Sequence, residues 1–441
     1  MTEAVLERGQ AFLSQLDRVE LPENEPAWMQ KLRQEALESV RDRGLPTTEL
    51  ESWRYTDLAS LSSLPFVPAT EGSGIERAEE TSFFDPESVW MIFSNGRFKS
   101  ALSSGEEIPE GVRVTSLSAM LQEDSAAVRN HLHGVRRYRE SVFDSLNLAL
   151  TADGAVIEVS DRTVLDRPIQ LVFLNDAPSG PFMVHPRVLV LAGRDTQVSI
   201  IESHLGITEG TYFSNPVTEI VASENATVDY YKVQQEGINA YHIGSVDAYQ
   251  SRCASVRTGI ITLGGKLVRN DTRAQLAGEG GYAELNGLYL VSGNRHVDNF
   301  TTIEHAQPHC SSRELYKGIL SERSRGVFRG RIVVAEGAQQ TDSKQTNNNL
   351  LLSDDAQINT KPQLEIYADD VKCTHGATIG QVDGEAMFYL RARGIGAEAA
   401  RGMLIYAFAS EVVNEVRLPA LRKQLDTSLS DWLPGGNLAN R

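Results

Sequence analysis

From residue 155 onward the chain is written in short runs rich in β-branched and aromatic residues: "AVIEVS", "IQLVFL", "RVLVLAG", "QVSIIESH", "VTEIVAS", "ATVDYYKV" and "SVRTGIITL", then "GYAELNGLYLV", "GVFRGRIVVAEGA", "NNNLLLS", "PQLEIYA" and "AMFYLRARG". They follow one another at roughly 8 to 14 residue intervals, and no convincing long helix interrupts them before residue 394. A chain of that texture folds as an all-β body, which leaves a sandwich, a propeller or a solenoid. The separators are isolated Gly, Asn and Asp residues rather than repeated Asn-Gly hairpins, and no WD-like or kelch-like repeat occurs. The polar run "QQTDSKQTNNNLLLSDDAQINTKP" places three leucines after three asparagines, and stacked rungs of a parallel β-helix tolerate such side-chain ladders. The pattern favours a mainly β fold with a parallel β-helix core.

Both ends differ from this body. Over residues 4–43 apolar residues recur at helical spacing, broken by "LPENEP" and ending at Gly44 with Pro46 beyond, so a helical pair is expected. A mixed segment follows, with a strand candidate in "VWMIFSNGRF" around the Asn95-Gly96 turn signal, and the pattern returns to helix near residues 115–150. After residue 394, Leu404, Ala407, Phe408 and Val412, with Met403 beside them, form an apolar stripe at helical spacing, and Pro419 starts or interrupts a second helix. The stripe either packs back on the solenoid or is offered to a partner. The expected division is therefore 1–150 helical and mixed, 151–394 β-helix, and 395–441 helical.

Lys and Arg number 42 against 59 Asp and Glu, a formal net charge of -17. Such a surface repels phosphate backbones and anionic membrane, so no nucleic acid and no membrane partner is expected. No apolar run approaches the roughly 18 to 20 residues of a membrane span. Three cysteines, Cys253, Cys310 and Cys373, cannot build a disulfide framework in so long a chain, and the opening "MTEAVLERGQ" has no apolar signal core. A reducing, cytoplasmic location is expected.

Several chemistries lack their motifs. There is no GxxxxGK[ST], no GxSxG elbow, no HExxH helix, no CxxC pair, and no glycine fingerprint for a flavin. "LGGKL" at 263–267 reads as a turn between strands. What remains is "DDVKCTHGATIGQ", where Cys373 and His375 stand two residues apart; in a strand they share one face at roughly 6 to 7 Å and can reach one ligand. A buried thiol beside a structural imidazole is the plain alternative. His296, His305, His309, Cys310 and Glu304 gather in and around "HVDNFTTIEHAQPHC", and either supply further ligands or sit as ordinary rungs. Thiolate and imidazole suit iron-sulfur species, zinc or copper, but two ligands do not fill a four-coordinate site, so a partner chain or labile ligand must add the rest. Asp369 and Asp370 resemble the acid pair of a polysaccharide-cleaving β-helix enzyme, although a turn and rung cap fits them better.

The span "TKPQLEIYADDVKCTHGATIGQVDGEAMFYLRARGI", preceded by "GRIVVAEGAQQTDSKQTNNNLLLS", resembles the signature core of the SufB/SufD family of iron-sulfur assembly proteins, and its "KC-x-HGAT" element is similar to the SufD branch rather than the SufB branch. "ESWRYTDL", "FDSLNLALTADGAVIEV", "HPRVLV" and "SSRELYKGIL" extend the resemblance over most of the chain. It implies a right-handed β-helix flanked by N-terminal and C-terminal helical domains. It further implies a non-catalytic scaffold subunit that pairs with SufB through the β-helices, while the C-terminal helices dock the ATPase SufC, giving the stripe from Met403 to Val416 a partner. His375 matches the SufD histidine implicated in nascent cluster assembly at the SufB interface, and Cys373 its neighbouring cysteine. A neutral imidazole, with an unperturbed pKa of about 6.5, donates a lone pair to iron near pH 7, whereas a solitary thiolate needs company. The sequence departs from the cysteine and glutamate set that the resemblance implies for SufB-like members, so the isolated chain is expected to hold a transient shared cluster weakly or not at all, with no tightly bound cofactor. A homodimer in the absence of SufB is also consistent with an open β-helix end.

Overall fold

The computed structural model describes residues 12–16, 25–69, 83–103, 108–123, 125–132, 141–176 and 180–433. Successive strands alternate between two sheets, so each strand pairs in parallel with the next but one along the chain. Of the two walls, one ends with Gln357–Ile366 and the other with Val371–Gly380. This is a β-solenoid of about seven turns, as the strand texture led one to expect. One circuit carries the chain 29 residues from Asn270 to Asn299, its stacked neighbour, and another 31 from Glu314 to Gln345. Stacked strands stand roughly 4.8 Å apart.

One corner repeats because its backbone does. Arg162, Asp195, Asn225, Cys253, His309 and Gln340 all adopt positive φ, and glycine takes the equivalent place at Gly280. Each lends its N–H to the carbonyl of the next turn, as in Cys253 to Glu279 at 2.9 Å, Gly280 to Pro308 at 3.2 Å and His309 to Gln339 at 2.9 Å. The left-handed conformation costs a non-glycine residue of order 1–2 kcal/mol. The corner ladder offsets it by leaving no donor orphaned at the bend.

Period-two alternation then decides what lies inside. Val198, Ile200, Val228, Tyr230, Val246, Val256 and Ile260 fill the bore of the early turns, and Val268, Leu285, Tyr289, Tyr316, Phe328 and Ile332 fill the later ones. Tyr316 and Tyr289 cross the bore over Gly287 and Gly318, where any Cβ would meet the ring. The asparagine run does not form a column of like side chains: Asn347 and Asn349 turn inward, Asn349 donates to Asn347 at 2.7 Å, and Thr360 donates to Asn347 at 2.8 Å.

The outer faces are covered from opposite ends of the chain. Helix Ala27–Arg43 and helix Val142–Leu150, with Trp53, Leu58 and Phe66, lie over the first wall against Val156, Leu189, Tyr241, Ile243 and Leu267. Arg269, fully buried beneath Trp53, pairs with Asp298 at 2.6 Å. The strand expected near Asn95-Gly96 is present as Val89–Ser94, hairpinned to Arg97–Phe98, and it joins the second wall in parallel with Ile169–Asn175. Helices Ala397–Val413 and Pro419–Trp432 cover that wall, burying Ile405, Ala409, Val412, Val413, Leu421, Leu425 and Leu429 against Ile201, Val233, Ile261, Leu288 and Ile319. At about 1.5–3 kcal/mol for each large side chain removed from water, this face holds the helices without a ligand.

One expected strand is a helix. All but the last two residues of "AMFYLRARG" lie in helix Gly384–Ala392, which starts where the Asp383 carboxylate accepts the N–H groups of Glu385 at 2.8 Å and Ala386 at 3.3 Å. It stops at Gly394, φ 85°, with the N–H of Ile395 reaching back to Leu390. The Phe388-Tyr389 pair reads as β by propensity, but the cap, the alanine, methionine and leucine around it, and the glycine stop decide for helix.

Candidate functional site at the open end of the solenoid

Cys373 and His375 both lie on Val371–Gly380, the terminal strand of its sheet, in register with Ser343 and Gln345 of the strand before. Ser343 and Gln345 face the bore, buried, so the parallel register turns Cys373 and His375 to the inner face of the last turn. Cys373 is half-buried and packs with Val371 on the bore's apolar lining, whereas His375 is exposed at the mouth. The pair expected on one face is thus brought together at the rim of the solenoid. Burial pushes the Cys373 thiol up, and the Asp342 carboxylate adds to that, so the group stays protonated near neutrality unless a metal or a cation displaces its proton. Among the described residues no group of three or more His, Cys, Asp or Glu side chains is placed to hold a metal ion. The rim offers two donors and leaves room for donors from elsewhere.

The other sequence candidates lie apart from it. Cys253 and His309 are exposed corner residues of the positive-φ ladder, and His309 stands 3.7 Å from Glu279. Cys310 is buried in the bore, its thiol donating to the Gly278 carbonyl at 3.3 Å, and burial raises its pKa. His296 meets the Thr56 hydroxyl at 2.9 Å under the N-terminal segment. His305 meets Ser312 at 2.9 Å inside the bore, where burial lowers it to about 4. Glu304 accepts from Gln275 at 3.2 Å. Asp369 and Asp370 occupy the bend before the last strand, where the Asp370 backbone bonds to Gln339 and Gln340.

Below the rim runs a polar column whose residues are not among the sequence candidates. Glu314 accepts from Thr301 at 2.5 Å and from Gln345 at 2.7 Å, and burial raises its carboxyl to about 7 against those two hydrogen bonds. Deeper still, Glu202 takes hydrogen bonds from Thr218 and Tyr230 and pairs with His204 at 2.7 Å. Burial pushes Glu202 upward, but His204, Lys232 and Thr218 overcome it and hold the carboxyl at about 2. Lys232 is lowered to about 8 by the same burial, offset in part by Glu202 and Glu236. The signal for these groups was parity: each stands at an inward position of its strand, where a charged residue has to find a partner.

At the other candidate surface, Met403 and Ala407 are exposed, Leu404 and Phe408 are half-buried, and Val412 is buried at 1 % exposure against the solenoid. The stripe is therefore split between two sides of one helix. Beside it, Phe388 at 75 % and Tyr389 at 57 % exposure line an open pocket with Asp383 and Leu404.

Two family profiles match this arrangement. The one described as SUF system FeS cluster assembly, SufBD core domain, spans residues 173–408, and the one described as SufBD protein N-terminal region spans residues 11–171. The chain belongs to the SufB/SufD family. An iron-sulfur cluster assembly SufBD family protein of Synechocystis is 35% identical over 408 residues, covering 90% of each chain. The iron-sulfur cluster assembly protein SufD of Escherichia coli is 33% identical over 405 residues, covering 91% of this chain and 93% of its own. The SufD of Bacillus subtilis is 27% identical over 420 residues, with 91% and 93% covered. The likeness to the SufD branch read from "KC-x-HGAT" is borne out. As a SufB/SufD family member the chain is a protein of iron-sulfur cluster assembly, and among its described residues no helix is long and apolar enough to cross a membrane.

Proposed function

We propose that this chain is a non-catalytic scaffold subunit of a cytoplasmic complex in which it pairs with a SufB-type β-helix and binds the ATPase SufC, and that a nascent iron-sulfur cluster is built at the interface of the two β-helices. The carrying observation is the inward-facing pair Cys373 and His375 at an end where both sheets finish in strands with a free edge. An unpaired edge is a template for another chain. A partner seated there brings its own donors over the two that this rim supplies. The cluster is cargo: a site shared between two chains releases it when the chains move apart, and ATP hydrolysis in the partner ATPase supplies that motion. His375 is the iron donor of the pair, and Cys373 joins it once iron draws off the thiol proton. The ATPase docks on the outer side of helix Ala397–Val413, at Met403, Leu404, Ala407 and Phe408, beside the exposed Phe388 and Tyr389. Val412 supports that surface from beneath.

The test mixes the chain with SufB and SufC, supplies iron, a sulfide source and ATP without oxygen, and follows cluster absorbance for wild type, His375→Ala and Cys373→Ala, with complex formation checked by size exclusion. His375→Ala is expected to assemble the complex and lose most of the cluster, and Cys373→Ala to show a smaller loss. Wild-type cluster yield from both variants would leave the chain as a platform for the ATPase without iron contact.

A further inference from the structure

Leu285, Glu314, Gln345 and His375 form one column along the inside of the second wall, each in register with the next. Gln345 is 1 % exposed, and its carboxamide crosses the bore toward Gly330, where a Cβ would collide with it. Its nitrogen donates to Glu314 at 2.7 Å, toward the previous turn. Glu314 is fixed in turn by the Thr301 hydroxyl at 2.5 Å. A carboxylate accepts and cannot donate, so it compels the amide to present its NH2 side, and the amide plane sends the oxygen the other way. That oxygen is buried with no hydrogen-bond partner among the described residues. A buried acceptor left without a donor is costly, so the site favours any donor that can reach it. The next residue of the column, one turn of roughly 4.8 Å above, is His375.

We infer that Gln345, oriented by Glu314, accepts a ring N–H of His375 and so selects the tautomer that turns the bare nitrogen out of the solenoid mouth. Histidines that bind metal commonly donate their second N–H to a fixed acceptor, which sets the ring orientation and strengthens the free lone pair. Gln345 and Glu314 are then positioning residues: neither touches iron, and both act through the imidazole. The use of this device rests on the reading of His375 as an iron donor; the hydrogen bond itself does not, and the two are separable.

The experiment is long-range proton-nitrogen correlation NMR on the full chain, free of metal at pH 8, labelled with 15N-histidine, the His375 signals assigned by their loss in His375→Gln. Wild type is expected to show one neutral tautomer, with well-separated ring nitrogens. In Gln345→Met, nearly isosteric and without an acceptor, the two signals should move toward a common averaged position. Glu314→Leu should do the same, while Glu314→Gln should restore the wild-type pattern because its amide oxygen still accepts from Gln345. In the complex with SufB and SufC, Gln345→Met is expected to weaken iron(II) binding about 10- to 100-fold. Averaged signals in wild type, or an unchanged single tautomer in Gln345→Met, overturn the inference. A tautomer that shifts as expected while His375→Ala keeps full cluster yield upholds the hydrogen bond and removes the ligand reading instead. Circular dichroism of each variant confirms that the solenoid is folded.

Discussion

Glu314 is the residue at which the interior of this solenoid pays for its polarity. A carboxyl sealed in the bore resists ionisation, and the hydrogen bonds from Thr301 and Gln345 recover only part of the lost hydration, which is why it titrates near 7 rather than near 4.5. The folded chain thus keeps a proton that the unfolded chain releases between those values. Stability contributed at this site falls as pH rises from about 4.5 to about 7 and is level above, by on the order of 3 kcal/mol. Glu314→Gln carries no such proton. The difference in unfolding free energy between wild type and Glu314→Gln, measured in urea at pH 4.5 and pH 8, should change by that amount, with wild type losing ground at the higher pH. A constant difference would mean that the bore is wetter at this point than its burial implies. Glu202, held at about 2, works in the opposite sense and lies outside this window, so it does not mask the effect. Strand parity points such a residue inward, but which residues it meets was not legible in the sequence. The i, i+2 rule places Cys373 and His375 on one face, but their supporting Gln345 and Glu314 sit one and two turns back, and only register brings them together.

At the scale of elements, helix Ala397–Val413 has one side packed on the solenoid and one side free for the docking proposed above. Ile405, at 0 % exposure, and Ala409, Val412 and Val413 join it to the second wall, while Lys317 reaches from the solenoid to the Phe408 carbonyl at 3.0 Å and to Glu411. Ile405→Ala should therefore cost about 2–5 kcal/mol of stability. Met403→Asp and Ala407→Asp, on the far side, should leave the melting temperature within a few degrees of wild type and abolish co-elution with SufC. If Met403→Asp and Ala407→Asp still bind the ATPase, docking lies elsewhere, and the exposed Phe388 and Tyr389 are the next residues to charge. Helical spacing alone does not assign the sides, because a stripe defined by Leu404, Ala407, Phe408 and Val412 is apolar through both. Strands were legible where both faces are apolar, as in Arg187–Ala192. Leu267–Leu276 was not, since Arg269, Asp271 and Arg273 point outward into ion pairs beneath the N-terminal segment and look like loop chemistry until that cover is in place.

At the scale of the whole molecule, covering is asymmetric. Both outer walls are buried by the chain's own termini, but the end formed by Gln357–Ile366 and Val371–Gly380 exposes Ile366, Tyr367 and Ile379 beside a free edge. Edge pairing with a second β-helix satisfies those backbone groups and removes these side chains from water. On the reading proposed above, a second copy of this chain would meet that need when the SufB-type partner is missing, yet two copies each carrying a formal net charge of -17 repel one another. The balance depends on screening, whose length falls from about 30 Å at 0.01 M salt to about 8 Å at 0.15 M. The isolated chain should accordingly sediment as a monomer at low salt and associate as salt is raised, with Ile379→Asp weakening that association and added SufB replacing it by the mixed pair. Sedimentation velocity at the two salt concentrations decides this. A species that stays monomeric at both, and that still pairs with SufB, would show that the open end discriminates between partners by side-chain complementarity rather than by its free edge, and would move the search for specificity to the residues around Cys373 and His375.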